Sequence, residues 1–276
     1  MKVAVLSGKG GTGKTTVAVN LAHVMRWRYM DCDTEEPNGW AFLQPKLLQS
    51  EAVRIPNPVV DQELCTRCGS CAQACQFQAL GVTAKGVLIF SQLCHGCGLC
   101  SLVCPEQAID EQPREIGRID HGLGPNGECW QGVMNVGELA GARIIEQMLR
   151  QLTGTTPLIM DCAPGTSCNV IAVAKHADFA LLVTEATPFG AHDLEASIKL
   201  LQSLGLPGAI VVNRSVEDAG LISDVADHYQ LPIIARLPFS RHAAALTAAG
   251  KLLQGEDFPE MFAQLGDRIR GLIRCN

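Results

Sequence analysis

A glycine-rich segment near the start of the chain, residues 8–15, reads GKGGTGKT and joins two segments of different character. The preceding MKVAVLS is a short apolar strand pattern, and the following VAVNLAHVM has helical character. The segment matches G-x-x-x-x-G-K-[ST], in which glycines let backbone N–H groups converge on phosphate oxygens at a helix N-terminus. An ordinary glycine-rich turn is the alternative, but the motif and its context together favour a phosphate loop that opens an α/β domain.

Side chains of this loop and of a later strand end have expected roles at a bound nucleotide. Lys14 should reach the β- and γ-phosphates, and Thr15 should ligate Mg²⁺. Asp161 ends the apolar run TPLIMD, where an aspartate can hold the water shell of Mg²⁺, and Gly165 follows on a turn that can present an amide to the γ-phosphate. The predicted nucleotide contacts in the loop are Gly8, Gly10, Gly11, Thr12, Gly13, Lys14, Thr15 and Thr16.

The chain outside a cysteine-rich region alternates strand and helix patterns. RYMDCD places Asp31 and Asp33 on one face of a strand, and FALLVT, GAIVVN and PIIARLP are short buried-strand runs. GAHDLEASIKLLQSLG and EDAGLISDVADHYQ are typical of helices between such strands. This alternation predicts an α/β fold with a mostly parallel sheet and helices on both faces, in which ligands bind at the carboxyl ends of the strands.

Eight of the 13 cysteines form two quartets, each with the spacing C-x₂-C-x₂-C-x₃-C. This repeated spacing is typical of bacterial ferredoxins with two [4Fe–4S] clusters, in which the fourth cysteine of each quartet ligates the other cluster. Zinc is the alternative, but a zinc site closes with four ligands and does not explain the spacing twice. The predicted ligand sets are Cys65, Cys68, Cys71 and Cys104 for one cluster, and Cys94, Cys97, Cys100 and Cys75 for the second.

The cysteine-rich region predicts a discontinuous nucleotide-binding domain, residues 1–61 and 111–276, interrupted by a ferredoxin-like domain, residues 62–110. Between the quartets, ALGVTAKGVLIF predicts a hairpin, which makes the insert a small α+β domain. Gln76 stands where a proline would normally follow the first quartet, and no repeat longer than the quartets is visible. The insert is too small for a large apolar core, so we expect its clusters to supply much of its folding energy.

Composition excludes several classes of protein for this chain of 276 residues. With 47% hydrophobic and 18% charged residues it can bury a full core, and its net charge of −6 disfavours a dedicated nucleic-acid binder, which needs a basic face. The apolar run at residues 3–6 is too short for a signal peptide, and no stretch approaches the ~20 apolar residues of a bilayer span. We therefore expect a cytoplasmic protein whose cysteines serve metal or redox chemistry rather than disulfides.

Three segments, GKGGTGKTT, DCDTEEPN and DCAPGTS, resemble the deviant Walker A ATPases of the MinD/ParA superfamily, which belongs to the SIMIBI class. The nitrogenase iron protein and the Mrp-type cluster carriers are related to this superfamily. The resemblance extends from residue 1 to about residue 58 and from about residue 113 to the end of the sequence. It does not cover the cysteine-rich insert, which resembles a ferredoxin instead.

The resemblance implies roles for four residues. Lys9, the additional lysine of the loop, is expected to cross a dimer interface to the partner's nucleotide. Asp33 is expected to position the attacking water in switch I, and Asp161 corresponds to the aspartate of switch II. The amide of Asn213 can match the N7 and N6 atoms of adenine, and the resemblance assigns it that role; an Asx turn is the alternative.

Two further cysteines invite comparison with the nitrogenase iron protein. Cys168 lies seven residues after Asp161, where the iron protein has a switch II cysteine that ligates a cluster shared by two subunits. Cys129 lies in the glycine-rich GLGPNGECWQG, a plausible loop for a second ligand of such a bridging cluster. The alternative is that Cys168 is a packed switch cysteine, just as Cys32 and Cys162 are expected to be small hydrophobic residues of the strands.

Together the motifs favour a slow, Mg²⁺-dependent ATPase in which nucleotide-dependent dimerisation gates electron transfer or metal-cluster transfer to a client protein. The expected partners are a second copy of the chain or a paralogue, together with a redox or cluster-receiving client. The alternative is a MinD/ParA-like spatial positioning ATPase with a redox-sensing ferredoxin insert, which would need a surface to bind. The C-terminal DFPEMFAQLGDRIRGLIRCN has apolar residues at helical spacing, and we predict that this helix packs on the sheet rather than on a membrane.

Overall fold

The structure, a computed structural model, describes residues 1–215, 220–255 and 257–275. The strands of this described part are β1 (Lys2–Leu6), β2 (Arg28–Cys32), β3 (Lys46–Val60), β4 (Leu80–Thr83), β5 (Gly86–Ile89), β6 (Ile109–Gly124), β7 (Gly127–Met134), β8 (Leu158–Cys162), β9 (Phe179–Glu185), β10 (Gly208–Ser215) and β11 (Ile233–Pro238). Among them, nine form one sheet in the order β11-β10-β9-β1-β8-β2-β7-β6-β3. The strands from β11 to β7 are parallel and the last two are antiparallel, which confirms the predicted α/β fold with a mostly parallel sheet.

Helices cover both faces of this sheet. The α-helices of the described residues are α1 (Lys14–Met25), α2 (Gly39–Leu43), α3 (Ser70–Ala74), α4 (Leu99–Leu102), α5 (Gly141–Arg150), α6 (Cys168–Ala174), α7 (Pro188–Leu204), α8 (Leu221–His228), α9 (Arg241–Ala248) and α10 (Phe258–Cys275). Of these, α3 and α4 lie in the cysteine-rich insert and not on the sheet. The side chains of β1 alternate between the two cores. Val3 and Val5 pack with α1, α9 and α10, whereas Ala4 and Leu6 pack with α5 to α8.

Most of the predicted elements of this domain are present. FALLVT, GAIVVN and PIIARLP form β9, β10 and β11, and the first predicted helix between them is α7. The second corresponds to α8, although residues 217–219 of that prediction lie outside the described residues. The C-terminal segment forms α10, which packs on the sheet through fully buried Phe262 and Ile269, so that prediction is confirmed.

A long antiparallel ribbon of β3 and β6 carries the cysteine-rich insert at its tip. Val60 pairs with Ile109 where the insert begins and ends, and Pro56 pairs with Pro113 nearer to the sheet. Pairing of β6 with β7 starts at Gly117, so the proline-containing part of the ribbon extends past the sheet. Proline lacks a backbone N–H and is tolerated on such edges. The proline-containing segments on either side of the insert are paired with each other as the strands of this ribbon.

The insert is built from two similar halves, related by the 29-residue shift between Cys65 and Cys94. Helix α3 corresponds to α4, and the hairpin predicted between the quartets is present as β4 and β5. Residues with a left-handed backbone recur at matching positions, in the pairs Arg67 and Gly96, Gly69 and Gly98, and Gln78 and Gln107. This likeness lies in backbone conformation more than in residue identity, so it is not visible as a repeat in the sequence beyond the quartets.

The two halves differ in what surrounds one of these matching positions. A Cβ atom at Gly96 would lie 2.9 Å from Ile55 Cβ and 2.9 Å from the carbonyl oxygen of Pro56, so the second half touches the ribbon there. The corresponding Arg67 extends its side chain and donates from Nη1 to the carbonyl of Ala84 at 2.8 Å. The insert therefore packs against β3 through its second half.

We predict that Gly96→Ala destabilises the protein more than Gly69→Ala. Both positions have a positive φ, so each alanine introduces backbone strain of about 1 kcal/mol. A Cβ at Gly69 would meet its nearest atom, Gln73 Nε2, at 3.9 Å, whereas at Gly96 it would collide with β3, which typically costs about 1–3 kcal/mol more. Thermal unfolding under anaerobic conditions measures the difference. Equal unfolding midpoints for the two variants would contradict the packing of Gly96 on the ribbon.

Candidate nucleotide site and cysteine cavities

The phosphate loop connects the end of β1 to α1, and close packing fixes it on two sides. A Cβ at Gly8 would lie 2.3 Å from the carbonyl oxygen of Asp193 in α7, and one at Gly13 would lie 2.1 Å from Asn213 Nδ2. Gly11 and Gly13 have φ of 81° and 86°, a left-handed conformation that favours glycine. The glycines of the motif thus form a narrow loop at the N-terminus of α1, which supports the predicted phosphate cradle.

Lys14, the first residue of α1, is buried and forms an ion pair with the buried carboxylate of Asp161 at the end of β8. Burial alone would lower the pKa of Lys14, but the carboxylate of Asp161 outweighs it and raises the pKa, so the lysine stays charged. Lys14 Nζ also lies 3.5 Å from Thr15 Oγ1. The structure therefore brings together three of the residues predicted for nucleotide and Mg²⁺ binding.

The sequence reasoning missed one residue at this site, Tyr29, and gave no role to Asp31. The hydroxyl of Tyr29 lies 3.1 Å from Asp161 Oδ2 and 3.3 Å from Asp31 Oδ2. Burial raises the pKa of Tyr29 well above its ordinary value, as do the two carboxylates, so the hydroxyl keeps its proton and donates it. The sequence did contain a signal for the position of Tyr29. Alternate residues of a strand share one face, so Tyr29 lies on the same face as Asp31 and Asp33.

Asp31 anchors the loop that follows β2. Its carboxylate accepts hydrogen bonds from the backbone N–H groups of Asp33 at 3.1 Å, Asn38 at 3.0 Å and Gly39 at 2.8 Å. Burial, followed by repulsion from the Asp161 carboxylate, raises the pKa of Asp31 to about 7. Asp33 itself is half-buried, and burial raises its pKa as well. The predicted switch I aspartate is thus held next to a buried carboxylate and close to Lys14.

Gly165 and Lys9 make contacts within the chain. The N–H of Gly165 donates to the carbonyl of Ser7 at 2.8 Å, so the amide predicted to meet the γ-phosphate is engaged with the end of β1. Lys9 extends from the loop towards Phe189, with Nζ 6.0 Å from the centre of the ring. Phe189 is largely exposed. The lysine predicted to act across a dimer interface therefore lies over an apolar surface at the start of α7.

A cavity of about 240 Å³ opens beside the loop, and the polar and apolar residues around it suit a purine base. Its lining includes Gly13 and Thr16 of the loop and α1, together with Leu237 and Phe239. Asn213 also lines it and donates from Nδ2 to the carbonyl of Thr12 at 2.8 Å, so its amide bridges to the phosphate loop. This contact with a distant residue differs from the Asx turn that the sequence left open.

The eight quartet cysteines line two cavities of the insert. Three cysteines of one quartet and the last cysteine of the other surround each cavity, as the crossed ligand sets predict. We name the two cavities by their cysteines. The distal cavity is lined by Cys65, Cys68, Cys71 and Cys104, and the proximal cavity is lined by Cys75, Cys94, Cys97 and Cys100. Within the described residues, no group of three or more His, Cys, Asp or Glu side chains is arranged to hold a single metal ion.

Backbone amides point at several of these sulfur atoms. The N–H groups of Ala79 and Ala108 donate to Cys75 Sγ and Cys104 Sγ, each at 3.3 Å, and Gly96 N–H lies 3.4 Å from Cys94 Sγ. Amide donors favour the thiolate over the thiol, and thiolates are the ligands of iron–sulfur clusters. The cysteine geometry and its donors therefore fit a cluster in each cavity.

The surroundings of the two cavities differ. The distal cavity is lined by residues of the insert, whereas Pro56, Pro58 and Glu111 of the ribbon contribute to the proximal one. Next to the proximal cavity, the ring of His95 stacks on Phe77 with 3.9 Å between their centroids. Burial, and then the nearby Arg143, lowers the pKa of His95, so this imidazole is neutral at pH 7.

The structure does not bring Cys129 and Cys168 together. Cys168 is exposed at the start of α6. Cys129 lies on β7 rather than in a loop, is buried in the core that contains α1 and α10, and has its pKa raised to about 11 by burial. A sulfur atom in that core cannot join a cluster shared with a second subunit unless β7 is rearranged. Cys32 and Cys162 are buried on adjacent strands, as expected for small apolar side chains.

Comparisons with known proteins agree with this architecture. Residues 58–110 match the 4Fe-4S dicluster domain family. The chain is 33% identical to the uncharacterized protein MJ0579 of Methanocaldococcus jannaschii over 78% of this chain and 80% of that protein, and 33% identical to MJ0578 of the same organism over 78% of each chain. The septum site-determining protein MinD of Pyrococcus horikoshii, solved with Mg-ADP, superposes with a TM-score of 0.62 at 17% identity, over 98% of this chain and 96% of that one.

The sheet and helices of the chain have the fold of the MinD structure on which they superpose, and residues 58–110 match a 4Fe-4S dicluster domain. The chain belongs to the family of MJ0579 and MJ0578. None of the helices formed by the described residues combines the length and apolar character that a bilayer-spanning segment requires.

The raised pKa of Asp31 predicts a pH-dependent stability. Between about pH 4 and pH 7 the folded protein binds a proton at Asp31 that the unfolded chain releases, so the free energy of unfolding falls as the pH rises through this window. Asp31→Asn removes this titration and should gain stability over the parent as the pH increases. Thermal unfolding at about pH 5 and about pH 8 measures this gain.

The exposed Asp227 provides a matched control for this comparison, because Asp227→Asn changes the same charge on the surface. Its unfolding midpoint should follow that of the parent at both pH values. A constant difference between Asp31→Asn and the parent at the two pH values would show that Asp31 is ionised throughout, and the assignment of a raised pKa would be wrong.

Proposed function

We propose that the protein is a Mg²⁺-dependent ATPase that binds two [4Fe–4S] clusters and uses nucleotide-dependent dimerisation to gate transfer of electrons or of a metal cluster to a client protein. The observation that carries this proposal is the ribbon. Strands β3 and β6 belong to the sheet at one end and line the proximal cavity at the other, through Pro56, Pro58 and Glu111. The strands that carry the nucleotide site and the strands that line the proximal cavity therefore belong to one hydrogen-bonded sheet.

At the nucleotide site, the residues support hydrolysis by positioning and electrostatics. When phosphates enter the loop, Lys14 exchanges the Asp161 carboxylate for the β- and γ-phosphate oxygens. Thr15 and the released carboxylate of Asp161 would hold Mg²⁺, and the ion would supply charge neutralisation at the phosphates. Asp33, held by the hydrogen bond from its N–H to Asp31, orients the attacking water.

The amide of Gly165 gives the site a way to sense the γ-phosphate. Its hydrogen bond to the Ser7 carbonyl must break before it can donate to a phosphate oxygen. Gly165 has a φ of 86°, a conformation that an L-residue adopts only with strain. Turning this amide towards the nucleotide would move the segment between β8 and α6, which the resemblance identifies as switch II.

In the insert, the distal cluster would be held by Cys65, Cys68, Cys71 and Cys104, and the proximal cluster by Cys75, Cys94, Cys97 and Cys100. Such clusters carry one electron each, and their potentials depend on nearby charge, hydrogen bonds and exposure. The insert's own core is small, so the thiolate–iron bonds contribute much of its stability. Cys68 of the distal set and Cys97 of the proximal set are exposed, which gives a client protein a short route to either cluster.

The position of Lys9 supports a dimer as the working form. Among the described residues its Nζ forms no hydrogen bond or ion pair, and it lies near the exposed Phe189. The neighbouring Gly10 has open space where a Cβ atom would lie, so a second backbone can approach there. The partner is a second copy or a paralogue. The free cysteines among the described residues suit a reducing compartment, and we assign the protein to the cytoplasm.

We predict that Lys9→Ala keeps ATP binding while it weakens ATP-dependent dimerisation and hydrolysis, because it removes a charge that acts in trans. Lys14→Ala should abolish hydrolysis, because the charge that compensates the phosphates is lost. Sedimentation velocity with ATP, in an Asp33→Ala background that stops turnover, measures the dimer. Lys46→Ala, a change at an exposed lysine on β3, is the matched control. Equal dimerisation with and without Lys9 would exclude the role in trans.

We predict about eight iron atoms per chain after anaerobic purification. Because the ligand sets are crossed, Cys75→Ala should remove the proximal cluster and Cys104→Ala the distal one, and each variant should retain about four iron atoms. Metal analysis and EPR of the reduced proteins measure this. Cys32→Ala, at a buried cysteine outside the insert, should keep all the iron. Stoichiometric zinc with little iron would contradict both the electron-transfer and the cluster-transfer proposals.

A further inference from the structure

Residues 134–143, named here the linking segment, join β7 to the first turn of α5 and touch the nucleotide site. The N–H of Met134 donates to the carbonyl of Thr34, which follows Asp33, at 2.8 Å. A Cβ at Gly141 would lie 2.6 Å from Thr34 Oγ1 and 2.8 Å from Nδ2 of Asn169 in α6. The linking segment is therefore packed without spare room against the residues that follow Asp33 and the helix that follows switch II.

The same segment contacts the ligand loop of the proximal cavity. Arg143 donates from Nε to the carbonyl of His95 at 3.1 Å. Glu138 forms an ion pair with Arg114 of β6, and Arg114 Nη2 donates to the carbonyl of Cys94 at 3.3 Å. Glu138 and Arg114 are both well shielded from solvent, with side-chain exposures of 9% and 18%. Two cations thus hold the backbone of a cluster-ligating loop, and one of them depends on a carboxylate of the linking segment.

The repeat within the insert offers an internal comparison. Cys65 and Thr66 occupy the positions that Cys94 and His95 occupy in the second half. In the part of the chain that the structure describes, no side chain of the sheet or its helices donates a hydrogen bond to the carbonyls of Cys65 or Thr66. The cation of the first half, Arg67, bonds within the insert to Ala84. Among the described residues, side-chain hydrogen bonds from the sheet and its helices to the backbone carbonyls of a ligand loop are therefore found on the proximal side.

We propose that the state of the nucleotide is transmitted to the proximal cluster, and not to the distal one, through the linking segment, with Arg143 and the Arg114–Glu138 ion pair as the positioning residues. This inference rests on the proposed function, because it requires both a nucleotide and the clusters. The cluster that responds to the nucleotide is the proximal one, and Arg143 and the Arg114–Glu138 ion pair make it respond.

The physical reason is the effect of charge on a cluster potential. A cation beside a [4Fe–4S] cluster favours the reduced state, which carries one more negative charge, and therefore raises its potential. When Thr34 or Asn169 moves as the nucleotide changes, Gly141 has no room to absorb the movement, so the first turn of α5 moves too. Arg143 and Glu138 then shift relative to the loop at Cys94, and the field at the proximal cluster changes.

Redox titration followed by EPR tests this inference on the full chain in the Asp33→Ala background, with ADP or with ATP. The distal signal is identified as the one that Cys104→Ala removes. With the parent residues, exchange of ADP for ATP should change the reduced-to-oxidised ratio of the proximal cluster at least tenfold at fixed ambient potential, which corresponds to about 59 mV for one electron. The distal cluster should not respond.

Arg143→Gln is the main variant, because Arg143 is partly exposed and its loss leaves no buried charge unpaired. It should lower the potential of the proximal cluster and remove most of the response to ATP, and Arg143→Lys should restore both in part. Arg67→Gln, at a cation of the distal half, is the matched control and should keep the full response of the proximal cluster. Arg114→Gln should resemble Arg143→Gln, provided that its iron content equals that of the parent.

An equal response of both clusters to ATP, or an undiminished response in Arg143→Gln, would overturn the inference. Failure of the inference and failure of the proposed function are distinguishable. If the protein holds its iron and the parent with Asp33 intact hydrolyses ATP, but neither potential depends on the nucleotide, the inference alone is wrong. If iron or hydrolysis is missing from the outset, the proposed function itself is wrong.

Discussion

Backbone pairing between β3 and β6 is the interaction on which the rest of this molecule depends. It places two chain segments of the nucleotide domain side by side, more than forty residues apart in sequence, and so gives the insert two closely spaced ends. The same pairing supplies Pro56 and Glu111 to the wall of the proximal cavity. Without the ribbon, the insert would be joined to the nucleotide domain by flexible linkers, and its orientation relative to the phosphate loop would be undefined.

At the nucleotide site, groups of the protein itself make the contacts that a bound nucleotide would make. Asp161 neutralises Lys14, and the Ser7 carbonyl accepts the amide of Gly165. Both groups are buried or engaged, so neither lacks a partner before a ligand arrives. Nucleotide binding is then an exchange of partners rather than the simple addition of new bonds. Such an exchange lets a small ligand move protein segments. When Lys14 or the amide of Gly165 binds a phosphate oxygen, its contact with Asp161 or with the Ser7 carbonyl breaks.

Sequence reasoning succeeded where function depends on local spacing. Lys14 and Thr15 are fixed by a loop motif, and the crossing of Cys75 and Cys104 between cavities follows from the ferredoxin spacing. It failed where partners are distant in the chain. The pairing of Arg114 with Glu138 and the hydroxyl of Tyr29 between two carboxylates depend on how separate strands and loops meet, which no spacing encodes. The loop expected around Cys129 proved to be strand β7 for the same reason, since β pairing is non-local.

The likeness of the insert's two halves has a consequence for how the domain is seated. A body with near two-fold symmetry can in principle present either half to the same neighbour. Here the position that meets Ile55 and Pro56 carries no side chain in one half, Gly96, and a long charged one in the other, Arg67. Turned end for end, the insert would drive an arginine into β3. A single difference between the repeated halves, Gly96 in one and Arg67 in the other, therefore fixes which half of the insert packs against β3.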